Sequence, residues 1–537
     1  MAKVLGIDNG TSNCCAALLA RGVPYVIEPA KARHLRVTPT VVGLAGYVPE
    51  KDGRTAAPPE HLVGSLAKAQ WKTNPTFTYM GLKRLLGRRF DDPFVQRFAG
   101  SMPFGIAEGP NGEAWLVGPD RKYSPEELLG DVLAEIKADA ERKTGETISF
   151  AVIAAPAYFD TFQRGCITDA AKRAGLKTAR IISEPTAAAL AYSITREDKS
   201  VVAVYDFGGG TFDVTIMKVK GRDLDPLGSA GDAFLGGMDF DQRLVDWMLR
   251  EFAEEHGVDL TTEKFAMQRL YEAAETTKVT LSSTSSHQID LDYLYKTPDG
   301  RFGLSRTITR AFFEDLCEDL IERSVEPCLQ ALEDARKKAR VAQLQVDEVV
   351  LVGGMTLMPA IRDKVQEIFG RIPRTDINPD EAVAFGCAIM GAVEQGSDAV
   401  MAVSLNERTT MNLYVRDAGG DLVPVIKRGT TMPASRAMIF TTQRNHQRQV
   451  EVGIHEGGPN SAHNVGYLVL SGIRDAMAEE PRISVEFMID ASGRLTVEAS
   501  DLDEAGKPNR PPVRATIHTA SGLTQQDLDE LRLMADV

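Results

Sequence analysis

Apolar runs punctuated by glycine, aspartate and proline begin at the first residues. Val4 to Ile7 and Val201 to Tyr205 read as buried strands, each followed by a polar turn and a further strand-like run. Residues 1–50 alternate such runs with turns. Pro125 to Arg142 has helical spacing, with Ser124 as cap, Pro125 at the first position, and Glu126 and Glu127 on the N-terminal dipole. A strand from Phe150 to Ala155 ends at Pro156, and a helix from Gln163 to Ala174 is closed by Gly175. Ala179–Ile182 is a strand leading into an alanine-rich helix that reaches Tyr192. The spacing predicts amphipathic helices over Asp239–Glu255 and Glu263–Leu281, and one from Arg310 to Arg340 offset at Pro327. Val349–Val352 is a buried strand, and a helix from Pro379 to Val393 follows. Strands alternating with helices indicate an α/β class.

The character changes near Gly396-Ser397-Asp398. Beyond it the period is two, with strands expected at Met411–Val415, Leu422–Ile426, Ala437–Thr441, Gln449–Ile454, Val465–Leu470, Ile483–Ile489, Leu495–Ala499 and Arg514–His518. That is a compact all-β unit. Ser521 to Val537 reads as one short helix.

A chain of 537 residues is too long for one core. The net charge of −14 disfavours nucleic acid as a partner. No apolar run is long enough to span a membrane, and Met1-Ala2-Lys3 leads into a strand without a signal-peptide pattern, so the expectation is a cytoplasmic protein. The six cysteines form no Cys-x-x-Cys pair and read as reduced thiols. Cys14 and Cys15 stand behind the first turn, either as redox sensors or as small buried strand residues.

The candidate chemistry lies in the two turns. Gly6-Ile7-Asp8-Asn9-Gly10-Thr11-Ser12-Asn13 and Asp206-Phe207-Gly208-Gly209-Gly210-Thr211-Phe212-Asp213 are both hairpins tipped with glycine, hydroxyl and carboxylate. Glycine lets backbone N–H groups come close to a phosphate. The aspartates repel phosphate unless a divalent cation and its waters lie between. Facing each other, two such hairpins would clamp a nucleotide's phosphates. A Walker-type loop is absent, since Gly506-Lys507 runs into Pro508.

Further blocks carry a resemblance. They include Arg36-Val37-Thr38-Pro39, the run from Lys83 to Phe90, Pro156-Ala157-Tyr158-Phe159, Glu184-Pro185-Thr186-Ala187-Ala188-Ala189, Leu235-Gly236-Gly237, Val352-Gly353-Gly354 and Asn378-Pro379-Asp380-Glu381. With the two turns, these blocks resemble the seventy-kilodalton heat-shock chaperones of the DnaK type. The resemblance implies an actin-like two-lobed ATPase domain with a duplicated ribonuclease-H-like core over 1–395. It further implies an apolar linker over 396–408, a β-sandwich peptide-binding domain over 409–520 and the start of a C-terminal helix over 521–537.

By the same resemblance, Asp8, Asp206 and Asp213 would hold Mg²⁺, largely through water. Lys83 and Glu184 would position the attacking water, with Asp8, Asp206 and Thr211 completing the catalytic set. Gly10, Thr11, Ser12, Asn13, Gly208, Gly209 and Gly210 would line the phosphates. Gly236, Gly237, Glu275, Lys278, Ser282, Gly353, Gly354 and Asp380 would enclose the adenosine. Pro156, Arg164 and Arg180 would relay nucleotide state between domains. Ile439 and Phe440 match the peptide cleft, or are simply core. ATP or ADP with Mg²⁺ is the implied cofactor, with K⁺ as a further candidate ion. Unfolded or extended peptides are the implied clients, with a J-domain co-chaperone and a nucleotide exchange factor as candidate partners.

Three features depart from the family pattern. Val279 and Leu357 stand where arginine usually faces the adenine. The linker Ala399 to Asn406 is apolar but lacks the usual acid. The chain ends where a helical lid would begin, which implies a short, lidless member. The alternative is a regulatory partner of another chaperone, with weak or uncoupled ATPase. A small-molecule kinase of the same superfamily is disfavoured, because those proteins lack both the Glu184-to-Ala189 block and a C-terminal β unit.

Overall fold

The structure, a computed structural model, describes residues 3–32, 35–47, 57–193, 199–221, 223–297, 300–395, 404–405, 407–417, 419–458, 462–491, 493–503, 506–508 and 513–516. The helix expected over Ser521–Val537, the end of the strand expected at Arg514–His518 and most of the apolar linker lie outside them. Two compact units form, one from residues 1–156 and 170–404, the other from 157–169 and 405–537.

The first unit repeats one sheet plan. Strands β1 (Val4–Asp8), β2 (Asn13–Ala20) and β3 (Val23–Val26) form an antiparallel meander. Strands β4 (Phe150–Ala155) and β5 (Lys177–Ser183) then add in parallel, giving the order β3-β2-β1-β4-β5. The second sheet has the same meander in β6 (Lys199–Phe207), β7 (Phe212–Lys220) and β8 (Asp223–Asp232), with β9 (Glu348–Val352) parallel to β6. Its order is β8-β7-β6-β9, and the two-residue strand Ser404–Leu405 extends it beyond β8. The doubling expected from the two turns is thus a doubling of whole sheets. The central strands read as unbroken apolar runs because they are covered on both faces. Leu5, Ile7, Ala203, Val204 and Tyr205 are all fully buried.

Capping follows the sequence closely. Helix Pro125–Thr144 starts where the Ser124 hydroxyl accepts the Glu127 N–H at 3.2 Å, and it stops at Gly145 with φ 69°. Helix Ala382–Glu394 packs against helix Glu184–Ser193 and on β1 through Ala187, Gly386 and Ala388. That close approach explains the small residues in both helices.

Two expectations change. The helix from Arg310 is three pieces, Arg310–Leu316, Glu318–Glu322 and Val325–Ala339, broken at Cys317 and Ser324. Pro327 is the third residue of the last piece, where its missing N–H has no partner to lose. The helix placed from Pro379 begins at Ala382, after a turn in which the Asn378 side chain accepts the Asp380 N–H at 3.1 Å. A long hairpin, Ser286–Thr297 with Gly300–Thr309, has no counterpart among the predicted elements. Among the described residues no helix is long and apolar enough to cross a membrane.

The second unit is a sandwich of two four-stranded sheets, with all eight expected strands present. One sheet runs β11-β10-β13-β14: Leu422–Ile426, Asn412–Arg416, Gln449–Gly457 and His463–Ser471. The other runs β12-β15-β16-β17: Ala434–Phe440, Arg482–Ile489, Leu495–Leu502 and Val513–Thr516. Strand β15 alternates buried and less buried residues along its length, and Leu413, Ile454, Phe487 and Val497 centre the core. Residues 157–169 belong to this unit, which composition alone does not reveal. Phe162 packs against the sandwich core. The Thr161 N–H donates to Glu456 Oε2 at 3.0 Å, and the Thr161 hydroxyl donates to the same oxygen.

Candidate functional site

The two hairpin tips meet. In the β6–β7 hairpin, Asp206 pairs with Asp213 across the ladder, and the Gly208 N–H closes the turn on Thr211 O at 3.0 Å. A methyl on Gly209 would stand 2.1 Å from Ser12 Oγ, and one on Gly210 2.5 Å from Thr11 Cγ2. Only glycine lets the turns come so close. Helix Gly237–His256 starts beside them, and its Gly237 and Met238 N–H groups donate to Gly208 O and Gly209 O at 3.0 and 2.9 Å. The helix N-terminus thereby fixes the turn. Gly236 lies with its Cα side against the Gly210 backbone, and its N–H donates to Asp239 Oδ2 at 2.8 Å.

Lys83 comes from a 3₁₀ turn, Leu82–Arg84, that follows Gly81. It is 4% exposed, and its Nζ donates to Glu184 Oε1 at 2.6 Å. Burial alone would lower the Lys83 ammonium, but the carboxylates of Glu184, Asp8 and Asp206 outweigh it and the net direction is up. Lys83 therefore stays charged. Its neighbour Arg84 donates to Gly210 O at 2.9 Å and to Asp239 Oδ2 at 2.5 Å, tying the turn to the helix start. Sequence reasoning assigned Arg84 no role, and its place beside Lys83 was the one available signal.

The acids are too many for a dry site. Burial and the nearby Glu184 push Asp8 up to about 8, with Asp380 adding to the rise and Lys83 opposing it. Asp206 is raised by burial, then by Glu184, Asp213 and Asp8. Burial and Glu184 raise Asp213 as well. Asp213 Oδ2 is buried with no partner among the described residues. A divalent cation would offset this charge, so the residues fit one. Among the described residues, however, no three carboxylates converge closely enough to ligate a metal directly. A cation held here would have to keep some of its waters.

The other end of the cleft is built on helix Lys264–Leu281 and its C-cap, Ser282. Lys278 Nζ donates to Asp241 Oδ2 at 2.7 Å and to Gly237 O at 3.0 Å. Glu275 is held by Lys68 at 2.7 Å. Opposite stand Gly353, Gly354 and Asp380. Gly353 has φ 82°, and a methyl there would lie 2.4 Å from Phe207 O, so both conformation and space require glycine.

All of these surfaces line one cleft of about 270 Å³. It takes in every residue predicted for phosphate, cation or adenosine except Gly210, Gly236 and Asp213, which back its wall. Val279 and Leu357 also line it and are 62% and 39% exposed, so two aliphatic side chains border the opening. Met355 and Met358 add apolar lining that the sequence reading did not single out.

The remaining predicted residues are dispersed. Pro156 and Arg180 lie in the first unit and Arg164 in the second. Arg180 pairs with Glu394 at 2.9 Å. Arg164 is 5% exposed and donates to Phe159 O at 3.2 Å, and its Nη1 has no partner among the described residues. Ile439 and Phe440 do not share a face. As neighbours on β12 they point to opposite sides, with Ile439 53% exposed and Phe440 packed on the core beside Met438 and Val450. Near the end of the segment expected as the linker, Glu407 is buried, and its carbonyl accepts the Met432 N–H at 2.9 Å. All six cysteines are buried and none is in a disulfide among the described residues, and burial pushes Cys14 up to about 11, which suits a small strand residue better than a reactive thiol.

Two facing glycine hairpins, a buried lysine–glutamate pair and a carboxylate cluster thus meet within one duplicated sheet core. The Hsp70 family model, described as Hsp70 protein, matches residues 4–536, and the chain belongs to that family.

Proposed function

We propose that this chain is an ATP-dependent chaperone that hydrolyses ATP in the cleft and uses the sandwich to hold extended peptide segments. Hsp70 proteins are in general ATPases that bind ATP or ADP with Mg²⁺, and they bind peptide clients and co-chaperones. The observation that carries the reading for this chain is the Lys83–Glu184 pair, buried at the meeting point of the two phosphate turns.

Phosphoryl transfer needs positioning and charge stabilisation more than covalent chemistry. Lys83, held charged by its carboxylate neighbours, faces the site of the terminal phosphate and orients water with Glu184. Thr11, Ser12 and Thr211 contact phosphate oxygens. Asp8, Asp206 and Asp213 hold the hydrated cation. When bound, Mg²⁺ supplies the positive charge that both the phosphates and this acid cluster lack. Phe440, Met438 and Val450 form the apolar floor offered to peptide, and Ile439 lies outside it.

Val279 and Leu357 grip the base by dispersion where a cation would add about 0.5–2 kcal/mol. Val279→Arg is therefore expected to tighten nucleotide binding between a few-fold and roughly thirtyfold by calorimetry. Unchanged affinity would place the base elsewhere.

The coupling is tested by single-turnover ATP hydrolysis with and without excess unfolded peptide. Acceleration is the expected result. Hydrolysis indifferent to peptide would favour a nucleotide-binding regulatory partner instead.

A further inference from the structure

Lys278 lines the nucleotide cleft, and its long side chain is already tied down there. Its Nζ donates to Asp241 Oδ2 at 2.7 Å and to Gly237 O at 3.0 Å. An ammonium carries three N–H donors, so one remains for an acceptor in the cleft. Glu275, one turn earlier on the same helix, is taken by Lys68 at 2.7 Å. Among the described residues, Asp241 is therefore the carboxylate that holds Lys278.

Nothing in the proposed hydrolysis calls on Asp241, yet it is 8% exposed and lines the same cleft. Burial pushes its carboxyl up to about 6, with Lys278 opposing the rise, so it is charged at neutral pH. A buried carboxylate is costly to keep unless it is paired, and here the pair is a lysine that borders the ligand space.

The pair is built into the helix that also holds the phosphate turn. Gly237 and Asp241 lie one turn apart at the start of helix Gly237–His256. The Gly237 and Met238 N–H groups donate to Gly208 O and Gly209 O. A methyl on Gly237 would stand 3.0 Å from Lys278 Nζ, so glycine there leaves room for the ammonium. One helix start thus fixes both the turn proposed for phosphate and the lysine proposed for adenosine.

We propose that Asp241 is a positioning residue for nucleotide binding, holding Lys278 so that its third N–H meets the nucleoside. Fixing a lysine side chain costs rotamer freedom, and Asp241 meets that cost before the ligand arrives. The inference rests on the nucleotide reading of the cleft.

The test combines calorimetry with ADP and single-turnover ATP hydrolysis by the full chain. Asp241→Ala is expected to weaken ADP binding roughly three- to tenfold, the cost of immobilising one long side chain on binding. The ATP concentration giving half-maximal turnover should rise by the same factor, while the rate at saturating ATP holds. Asp241→Asn keeps an acceptor for Lys278 and should recover most of the loss. Lys278→Met should weaken ADP at least as much as Asp241→Ala, and adding Asp241→Ala to it should cost nothing more, because the two residues act through one contact. Wild-type affinity in Asp241→Ala, additive losses in the double variant, or a fall in the saturating rate in place of affinity would overturn the proposal. A wild-type chain that binds no ADP would instead overturn the nucleotide reading, and this inference with it.

Discussion

Lys83→Ala is expected to lower single-turnover ATP hydrolysis by on the order of a hundred- to a thousandfold, the usual loss when one preorganised charge-stabilising group is removed. Nucleotide binding should change far less, because the phosphate cradle is made by the two turns and Lys83 lies beneath it. The same change strands Glu184 beside Asp8 and Asp206. Breaking a buried pair costs about 3–5 kcal/mol when the partner remains charged. The double variant Lys83→Ala/Glu184→Gln separates the effects. It should recover thermal stability and remain inactive. Near-normal hydrolysis in Lys83→Ala would remove the lysine from the chemistry, and recovery of hydrolysis in the double variant would make its role purely structural.

Gly236→Ala is expected to weaken nucleotide binding by on the order of a hundredfold, the effect of a shift near 1 Å in a positioning element. The added methyl would lie 2.4 Å from Gly210 N and 2.5 Å from Gly210 Cα. Backbone cannot move aside as a side chain would, so the two segments must separate. The strain passes into the Arg84 bonds to Gly210 and Asp239 and into the Gly236 N–H bond to Asp239. Overpacking of this kind costs about 1–3 kcal/mol, so the protein should still fold. Calorimetry with ADP reads the loss directly. Full affinity would mean that the wall formed by Gly210 and Gly236 does not support the phosphates.

Where local chemistry dictates structure, the sequence was a reliable guide. The turn at Asp206 to Asp213 carries its own glycines and acids, and Ser124 and Pro125 mark the start of their helix without reference to anything distant. The doubling of the turns foretold the doubling of the sheets. Elements stabilised mainly from afar were less legible. The hairpin Ser286–Thr297 with Gly300–Thr309 buries Ile289, Leu304 and Ile308 on one side and is strongly polar on the other, so its apolar signal is sparse. The membership of residues 157–169 in the second unit depends on Phe162 meeting a core nearly three hundred residues later in the chain.

At the site, residue types were read more easily than partnerships. The Glu184 block and Lys83 were each visible, but their contact joins positions 101 residues apart. Arg84 was hidden for the same reason, since its acceptors at Gly210 and Asp239 belong to the other half of the unit. For Ile439 and Phe440 the rule was available and needed only the strand: consecutive residues face opposite ways, and only one of them turns inward.

The most direct test of the account is single-turnover conversion of ATP by the purified chain in Mg²⁺ and, in parallel, with the metal chelated. The account predicts conversion of bound ATP to ADP and phosphate in Mg²⁺ and loss of that conversion on chelation. Failure to bind ATP in Mg²⁺, or equal turnover after chelation, would contradict it.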